Sequence, residues 1–160
     1  MILLTLALGI AAPAAAQNEI ETVSAGNPAE LAIVMMNAGY DVELTEDGIG
    51  DPLIKTEVEG LALEVYFYGC DETTNDNCDS LQLSAGFDRD KPWTREEALA
   101  ISQRLRFASV RLNEDGDPTV SWDIVTGEGI PREVFLQSLT HFSRTVELAA
   151  EMVFAESKDD

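Results

Sequence analysis

Apolar and polar residues alternate along much of the chain, and in six segments the alternation has the two-residue period of a strand with one buried face. The clearest case runs from Leu61 to Phe67, where every second residue is a large apolar one. Short stretches rich in Asp and Gly separate several of these segments, which predicts hairpin turns and antiparallel pairing. The predicted strands span residues 40–45, 53–58, 61–69, 81–87, 108–112 and 120–124.

Three other segments have apolar residues at steps of three and four, the period of an amphipathic helix. Asn27 is a suitable N-cap for the first, and Ile33 and Met36 make its second side apolar, so this helix is expected to be buried all round. Thr94 and Glu97 form a capping box at the start of the second. The predicted helices span residues 28–38, 94–105 and 131–155.

The order of these elements is α-β-β-β-β-α-β-β-α. Strands joined by short turns indicate an antiparallel meander, and the apolar stripes of the helices need one face of that sheet to cover. The sequence therefore predicts an α+β fold, an antiparallel meander sheet with helices packed on it.

The first sixteen residues have the character of an export signal. Met1 to Ala16 contains no charged side chain, is mostly apolar and ends in three alanines, which favours cleavage between Ala16 and Gln17. The run is too short to span a bilayer comfortably. No base precedes it, so a start upstream of Met1 stays open. The predicted organisation is a signal peptide over 1–16, a flexible lead-in over 17–26, one domain over 27–155 and an acidic tail over 156–160.

The chain is strongly acidic, with 30 acids, 10 bases and a net charge of −20. Such a surface disfavours nucleic acid and anionic lipid as partners, and no run after Ala16 is long and apolar enough for a membrane span. The charge is also uneven. Residues 41–79 hold twelve acids and one base, whereas residues 88–111 hold six bases and four acids.

Cys70 and Cys78 are the only cysteines, with seven residues between them. In an exported chain this predicts a disulfide, and with it a periplasmic or secreted protein. Two cysteines and one histidine cannot complete a zinc site without carboxylates, so a metal pair is disfavoured.

Several short motifs occur in a defined order along the chain. They are YFYGC over residues 66–70, the second cysteine at 78, GFD over 86–88, RLRF over 104–107 and EDGDP over 114–118. In this set and order the chain resembles exported members of the YbjN-domain family. The resemblance implies a fold like that of type III secretion chaperones and the label "putative bacterial sensory transduction regulator". Folds of that kind commonly dimerise and bind extended segments of partner proteins, which makes a homodimer one expectation.

Motifs of enzymatic chemistry are missing from the sequence. It contains no phosphate-binding loop, no dinucleotide fingerprint and no HExxH pair. His141 is the only histidine, and Ser138, three residues before it, lacks the glycine-flanked turn of a nucleophile. We therefore predict no catalytic residue, no cofactor and no metal. Enzymatic activity is the third hypothesis, after binding of a protein partner and binding of calcium or a small ligand.

Three acidic loops keep calcium open as an alternative, because calcium prefers oxygen ligands. They span residues 47–51, 71–79 and 115–117. An EF-hand counted from Asp71 would need Gly at position 76 and Glu at position 82, where Asp76 and Gln82 stand. Hairpin turns explain the first and third loops equally well.

Aromatic and basic residues supply the strongest hint of a binding surface, since Tyr, Trp and Arg often anchor protein interfaces. Ordinary sheet packing and internal ion pairs remain the plainer explanation. The leading hypothesis is an exported, non-enzymatic protein that binds a protein or peptide partner, with calcium or small-ligand binding as the alternative. The candidate partner-binding residues are Tyr66, Tyr68, Trp93, Arg104, Arg106 and Arg111.

Overall fold

The computed structural model describes residues 21–155, which contain three helices and eight strands. The predicted signal peptide, its cleavage point at Ala16 and Gln17, and the tail over 156–160 lie outside the described residues. The helices are α1 (Pro28–Asn37), α2 (Arg95–Ser102) and α3 (Arg132–Val153). The strands are β1 (Thr22–Val23), β2 (Glu43–Glu46), β3 (Pro52–Val58), β4 (Leu61–Tyr68), β5 (Ser80–Gly86), β6 (Ser109–Leu112), β7 (Pro118–Val125) and β8 (Ile130–Pro131).

Six of the strands form one antiparallel sheet, so the predicted α+β class with an antiparallel sheet is confirmed. The order across the sheet is β2-β3-β4-β5-β7-β6. A simple meander would place β6 beside β5, but β7 takes that position and β6 lies at the edge. The physical reason is composition. β7 carries Val120 and Trp122 and pairs with the apolar β5, whereas β6 is shorter and contains Ser109 and Arg111.

All three helices cover the same face of this sheet. The buried core joins residues of each helix, such as Leu31, Ile101 and Phe142, to strand residues of one alternation phase, such as Val65 and Leu83. Residues of the opposite phase do not belong to that core. The second face of the sheet has no described helix on it, and we call it the open face.

The lead-in over residues 17–26 is predicted to be flexible, but residues 21–26, the part that the structure describes, contact the rest of the chain. Thr22 and Val23 form β1, which pairs with β8 at the start of α3. Val23 and Ala25 are fully buried, and the Ala25 N–H donates to the Thr126 hydroxyl at 2.9 Å. Polar residues surround these apolar ones in the sequence, which is why the pattern there resembled a linker.

The first helix also differs from expectation. Leu31, Val34 and Met35 are buried as predicted, but Ile33 and Met36 are 42% and 50% exposed. The helix lies at the β2 end of the sheet, where there is too little protein to cover its second side.

Candidate functional site

The open face carries a hydrogen-bonded polar network across three strands. The Arg111 guanidinium of β6 donates to the Gln82 side-chain oxygen of β5 at 3.1 Å and to the Ser121 hydroxyl of β7 at 3.3 Å. The Gln82 amide donates to the Asp123 carboxylate at 2.7 Å. Ser121 also shares a hydrogen bond of 2.8 Å with Ser109. These contacts hold the Arg111 side chain, although exposed, against its neighbours on β5 and β7.

Two tyrosines of β4 extend this face beyond the network. The side chains of Tyr66 and Tyr68, two residues apart, project from the same face of the strand, and their rings stack with centroids 6.4 Å apart. Tyr66 lies beside Gln82 in the sheet register, and Tyr68 is 45% exposed. Tyrosine offers a large contact area with few rotatable bonds, and serine and glutamine add adaptable hydrogen bonds, a combination common in protein-binding surfaces.

The Tyr66 hydroxyl donates to the Glu64 carboxylate at 2.7 Å. Partial burial, the hydrogen bond to Glu64 and the negative charge of Glu64 together raise the pKa of Tyr66 to about 12. The phenol therefore stays neutral at ordinary pH and is held in place by its acceptor.

The other three candidate residues lie around α2, away from the open face. Trp93 is buried just before the helix, and its backbone N–H donates to the Gly116 carbonyl at 2.9 Å. The Arg89 guanidinium lies over the Trp93 ring, 5.3 Å from its centroid. Arg104 and Arg106 are exposed in the connection between α2 and β6. The structure therefore divides the predicted set into two groups of three.

Phe107 belongs to the same connection and was not among the predicted binding residues. Its φ of 64° lies in the left-handed region, which is uncommon for a bulky residue. Its ring stacks on Trp122 with centroids 5.1 Å apart, yet 79% of the residue is exposed. Only the RLRF motif pointed to it in the sequence, and that motif did not distinguish an exposed aromatic ring from a core one.

A cleft of about 780 Å³ separates α2 from β6 and the β6–β7 turn. Its lining includes the apolar residues Leu99 of α2 and Val110 and Leu112 of β6. It also includes charged residues, Arg95 of α2 and Glu114 and Asp115 of the turn. Trp93 also lines this cleft, but the residue is buried and presents little surface to a partner.

The acidic loops use their oxygens within their own turns. The Asp47 carboxylate accepts the N–H groups of Ile49 and Asp51, and the Asn113 side-chain oxygen accepts those of Asp115 and Asp117. In residues 21–155, no group of three or more His, Cys, Asp or Glu side chains is arranged to hold a metal ion.

The Asp71 loop follows the same pattern. The N–H groups of Thr73 and then Thr74 donate to the Asp71 carboxylate and lower its pKa below the usual value. Cys70 and Cys78 form the predicted disulfide at the base of this loop, and Cys78 is buried against the core. The loop is thereby fixed between β4 and β5.

His141 lies exposed on α3 and is not paired with the serine before it. The Ser138 hydroxyl instead donates to the Val134 carbonyl at 2.9 Å, one turn back along the helix. Ser138 and His141 therefore do not form a pair of nucleophile and base within residues 21–155.

The comparisons with known proteins agree with the motif order in the sequence. A family model described as "YbjN: Putative bacterial sensory transduction regulator" matches residues 27–155. No curated protein matches the chain. Among the residues that the structure describes, none of the helices has the length and apolar character needed to cross a membrane.

Proposed function

Because the chain belongs to the YbjN family, whose description is regulatory, we propose that it acts by binding a protein partner and not by catalysing a reaction. We place the contact on the open face of the sheet. A regulator without a catalytic group must act by contacting another molecule through its surface. The open face offers a surface whose polar side chains are held by hydrogen bonds.

The observation that carries the proposal is the coincidence of aromatic, basic and hydrogen-bonding groups on a sheet face without a described helix. Tyr66, Tyr68 and Arg111 supply side chains that commonly dominate binding energy. The fixed Arg111–Gln82–Asp123 network reduces the conformational entropy that would be lost on binding.

Export is the second part of the proposal. The uncharged leader over residues 1–16 and the Cys70–Cys78 disulfide both favour an oxidising compartment, the periplasm or the exterior. The partner is then a protein of that compartment. N-terminal sequencing of the protein recovered from the envelope fraction tests this part, and a mature chain beginning at Gln17 is the expected result.

Photo-crosslinking tests the binding surface directly. A photoreactive residue in place of Tyr68 should trap a partner in cells, whereas the same residue in place of Arg144, exposed on α3, serves as the matched control. The trapped protein is then purified and titrated against the wild type and the variants Tyr68→Ser, Arg111→Gln and Arg144→Gln.

We expect Tyr68→Ser and Arg111→Gln each to weaken binding about tenfold or more, since loss of a central anchor costs roughly 1.4 kcal/mol or more. Arg144→Gln should bind like the wild type. Equal crosslinking from positions 68 and 144, or equal affinity of all four proteins, would contradict the open face as the contact surface. A catalytic turnover lost on one conservative substitution would contradict the non-enzymatic part.

A further inference from the structure

The start of α2 and the β6–β7 turn hold each other in a fixed position. The Trp93 backbone N–H donates to the Gly116 carbonyl at 2.9 Å. Gly116 has a φ of 84°, and a Cβ on it would stand 2.6 Å from the Pro92 Cβ, so only glycine lets the turn come this close. Within the turn, the Asn113 side-chain oxygen accepts the Asp115 N–H at 3.0 Å. These contacts fix one end of the cleft that lies between α2, β6 and this turn.

Opposite charges line this end of the cleft. Arg95 is the first residue of α2, and Glu114 and Asp115 belong to the turn. All three side chains are exposed, and among residues 21–155 none of them forms an ion pair. Both signs of charge therefore line one cavity without neutralising each other. A ligand group that carries a negative and a positive charge would satisfy both at once.

The rest of the cleft lining carries no charge. Leu99, about one turn of helix beyond Arg95, is 58% exposed and lines the cleft together with Val110 and Leu112 of β6. Ser102, the last residue of α2, also lines it, so the cleft follows the helix for about 10 Å. The cleft is thus charged where α2 meets the turn and neutral along the remainder of its length.

A ligand that matches this cleft carries its charges at one end only. A peptide segment would bring polar backbone groups against Leu99 and Val110, at a cost in lost hydration. An alkyl chain has no such groups, and its binding would remove apolar surface of the chain and of Leu99 from water. The cavity volume of about 780 Å³ lies within the range of small-molecule sites, which is roughly 300–1,000 Å³.

We propose that the cleft binds a single-chain amphiphile with a zwitterionic head group. The Arg95 guanidinium donates to the anionic part of the head group, and Glu114 and Asp115 attract its cationic part. The alkyl chain lies along Leu99 and Val110. This site is separate from the open face, and the proposal does not rest on the proposed function.

Isothermal titration calorimetry with decylphosphocholine, kept below its micelle concentration, gives the first test. Decyl sulfate and decyltrimethylammonium have the same chain with one charge each and serve as matched ligands. At about 0.15 M salt the long-range attraction of a cation to a chain of net charge −20 is screened. We expect one decylphosphocholine per chain, bound about tenfold more tightly than either singly charged ligand, because each of those lacks one charged contact.

Substitutions at the charged end should change which head group is preferred. Arg95→Gln should weaken decylphosphocholine and decyl sulfate about tenfold, but not decyltrimethylammonium, because only the contact to the anionic group is lost. The double variant Glu114→Gln with Asp115→Asn should weaken decylphosphocholine and decyltrimethylammonium, but not decyl sulfate. Arg144→Gln on α3, exposed and outside the cleft lining, is the matched control and should bind all three like the wild type.

Leu99→Asn tests the contact with the alkyl chain. Leu99 is already largely exposed, so the variant should fold like the wild type, which circular dichroism checks. It should weaken all three ligands to a similar extent, because they share the same chain.

No measurable binding of decylphosphocholine overturns the proposal. So does equal affinity for the three ligands, which would indicate adventitious binding of the alkyl chain only. A decylphosphocholine affinity that stays unchanged in both Arg95→Gln and Leu99→Asn overturns it as well, because the site would then lie elsewhere.

Discussion

Glu64 and Tyr66 lie on the same side of β4, two residues apart, and their contact changes the chemistry of a side chain on the open face. The carboxylate accepts the phenol hydrogen bond at 2.7 Å, and its negative charge opposes a second negative charge on the ring. Partial burial has the largest effect on this pKa and acts in the same direction. Tyr66 is therefore a neutral donor fixed in orientation.

This contact predicts a pH dependence. The folded protein keeps the Tyr66 proton up to a pKa of about 12, whereas the unfolded chain loses it near 10.0. Between those values unfolding releases a proton, so the free energy of unfolding falls as the pH rises through this window. Below about pH 10, Tyr66 makes no contribution to the pH dependence of stability. Glu64→Gln should lower the pKa of Tyr66, because the charge and the ionic acceptor are both lost.

An ultraviolet absorbance titration measures the ionisation of the tyrosines. The wild type should show one component near pH 12 that is missing in Tyr66→Phe and shifted to lower pH in Glu64→Gln. Identical titration curves for the wild type and Glu64→Gln would show that the carboxylate does not control the phenol.

At the scale of elements, the capping of α2 determines how the cleft and the basic connection are positioned. The helix is only eight residues long, so its end contacts matter more than its intrinsic propensity. Thr94 and Glu97 form the predicted capping box, with the Thr94 side chain accepting from the Glu97 N–H at 3.3 Å and the Thr94 N–H donating to the Glu97 carboxylate at 2.6 Å. The same N–H lowers the pKa of Glu97.

Thr94→Ala should reduce the free energy of unfolding by about 1 kcal/mol, the usual cost of losing a threonine N-cap. The matched control is Thr140→Ala on the exposed side of α3, where the hydroxyl only donates back to the Leu136 carbonyl and alanine is the better helix former. Urea unfolding monitored by circular dichroism measures both. A Thr94→Ala midpoint equal to that of the wild type would argue that the box does not hold α2.

For the whole molecule, the Cys70–Cys78 disulfide and the contacts beside it join parts that are distant in sequence. Asp79, next to Cys78, accepts from the N–H groups of Thr126 and Gly127 through its carbonyl. Thr126 in turn accepts from Ala25 through its hydroxyl. The loop between β4 and β5 is thus connected to the segment before α1 and to the end of β7.

Reduction of the disulfide should lower the free energy of unfolding by about 2.5 kcal/mol, the loop-entropy value for cysteines eight residues apart. Urea unfolding of the oxidised and reduced protein measures the difference. The double variant Cys70→Ala with Cys78→Ala is the control, and its unfolding should not respond to reductant. Equal stability of the oxidised and reduced wild type would show that the crosslink serves another purpose.

The elements themselves were largely predictable because each depends on neighbours in sequence. The capping residues Asn27 and Thr94, the alternation from Leu61 to Phe67 and the long stripe of α3 all follow from contacts within a few residues. Errors occurred where local pattern and tertiary context disagree. Val23 is buried although its surroundings are polar, and Met36 is exposed although its helix is apolar on both sides.

The candidate site was predictable only in part. Period-two alternation places Tyr66 and Tyr68 on one face, and the same argument could have found Gln82, which alternates with the buried Leu81 and Leu83. Its contact with Asp123 could not be read locally, since the two residues are 41 positions apart. Neither the exposure of Phe107 nor the separation of Arg104 from Arg111 follows from residue type.

By itself, the sequence determined the α+β class, the helix starts, the disulfide and the family, because periodicity, capping, cysteine spacing and motif order are properties of short stretches of chain. Only the tertiary structure decided that β7 lies between β5 and β6, that β6 is the last strand of the sheet, and that the candidate residues divide between two surfaces. These features depend on which strands pair across long loops. That pairing is set by the requirement that the apolar faces of the sheet and of the helices be buried together.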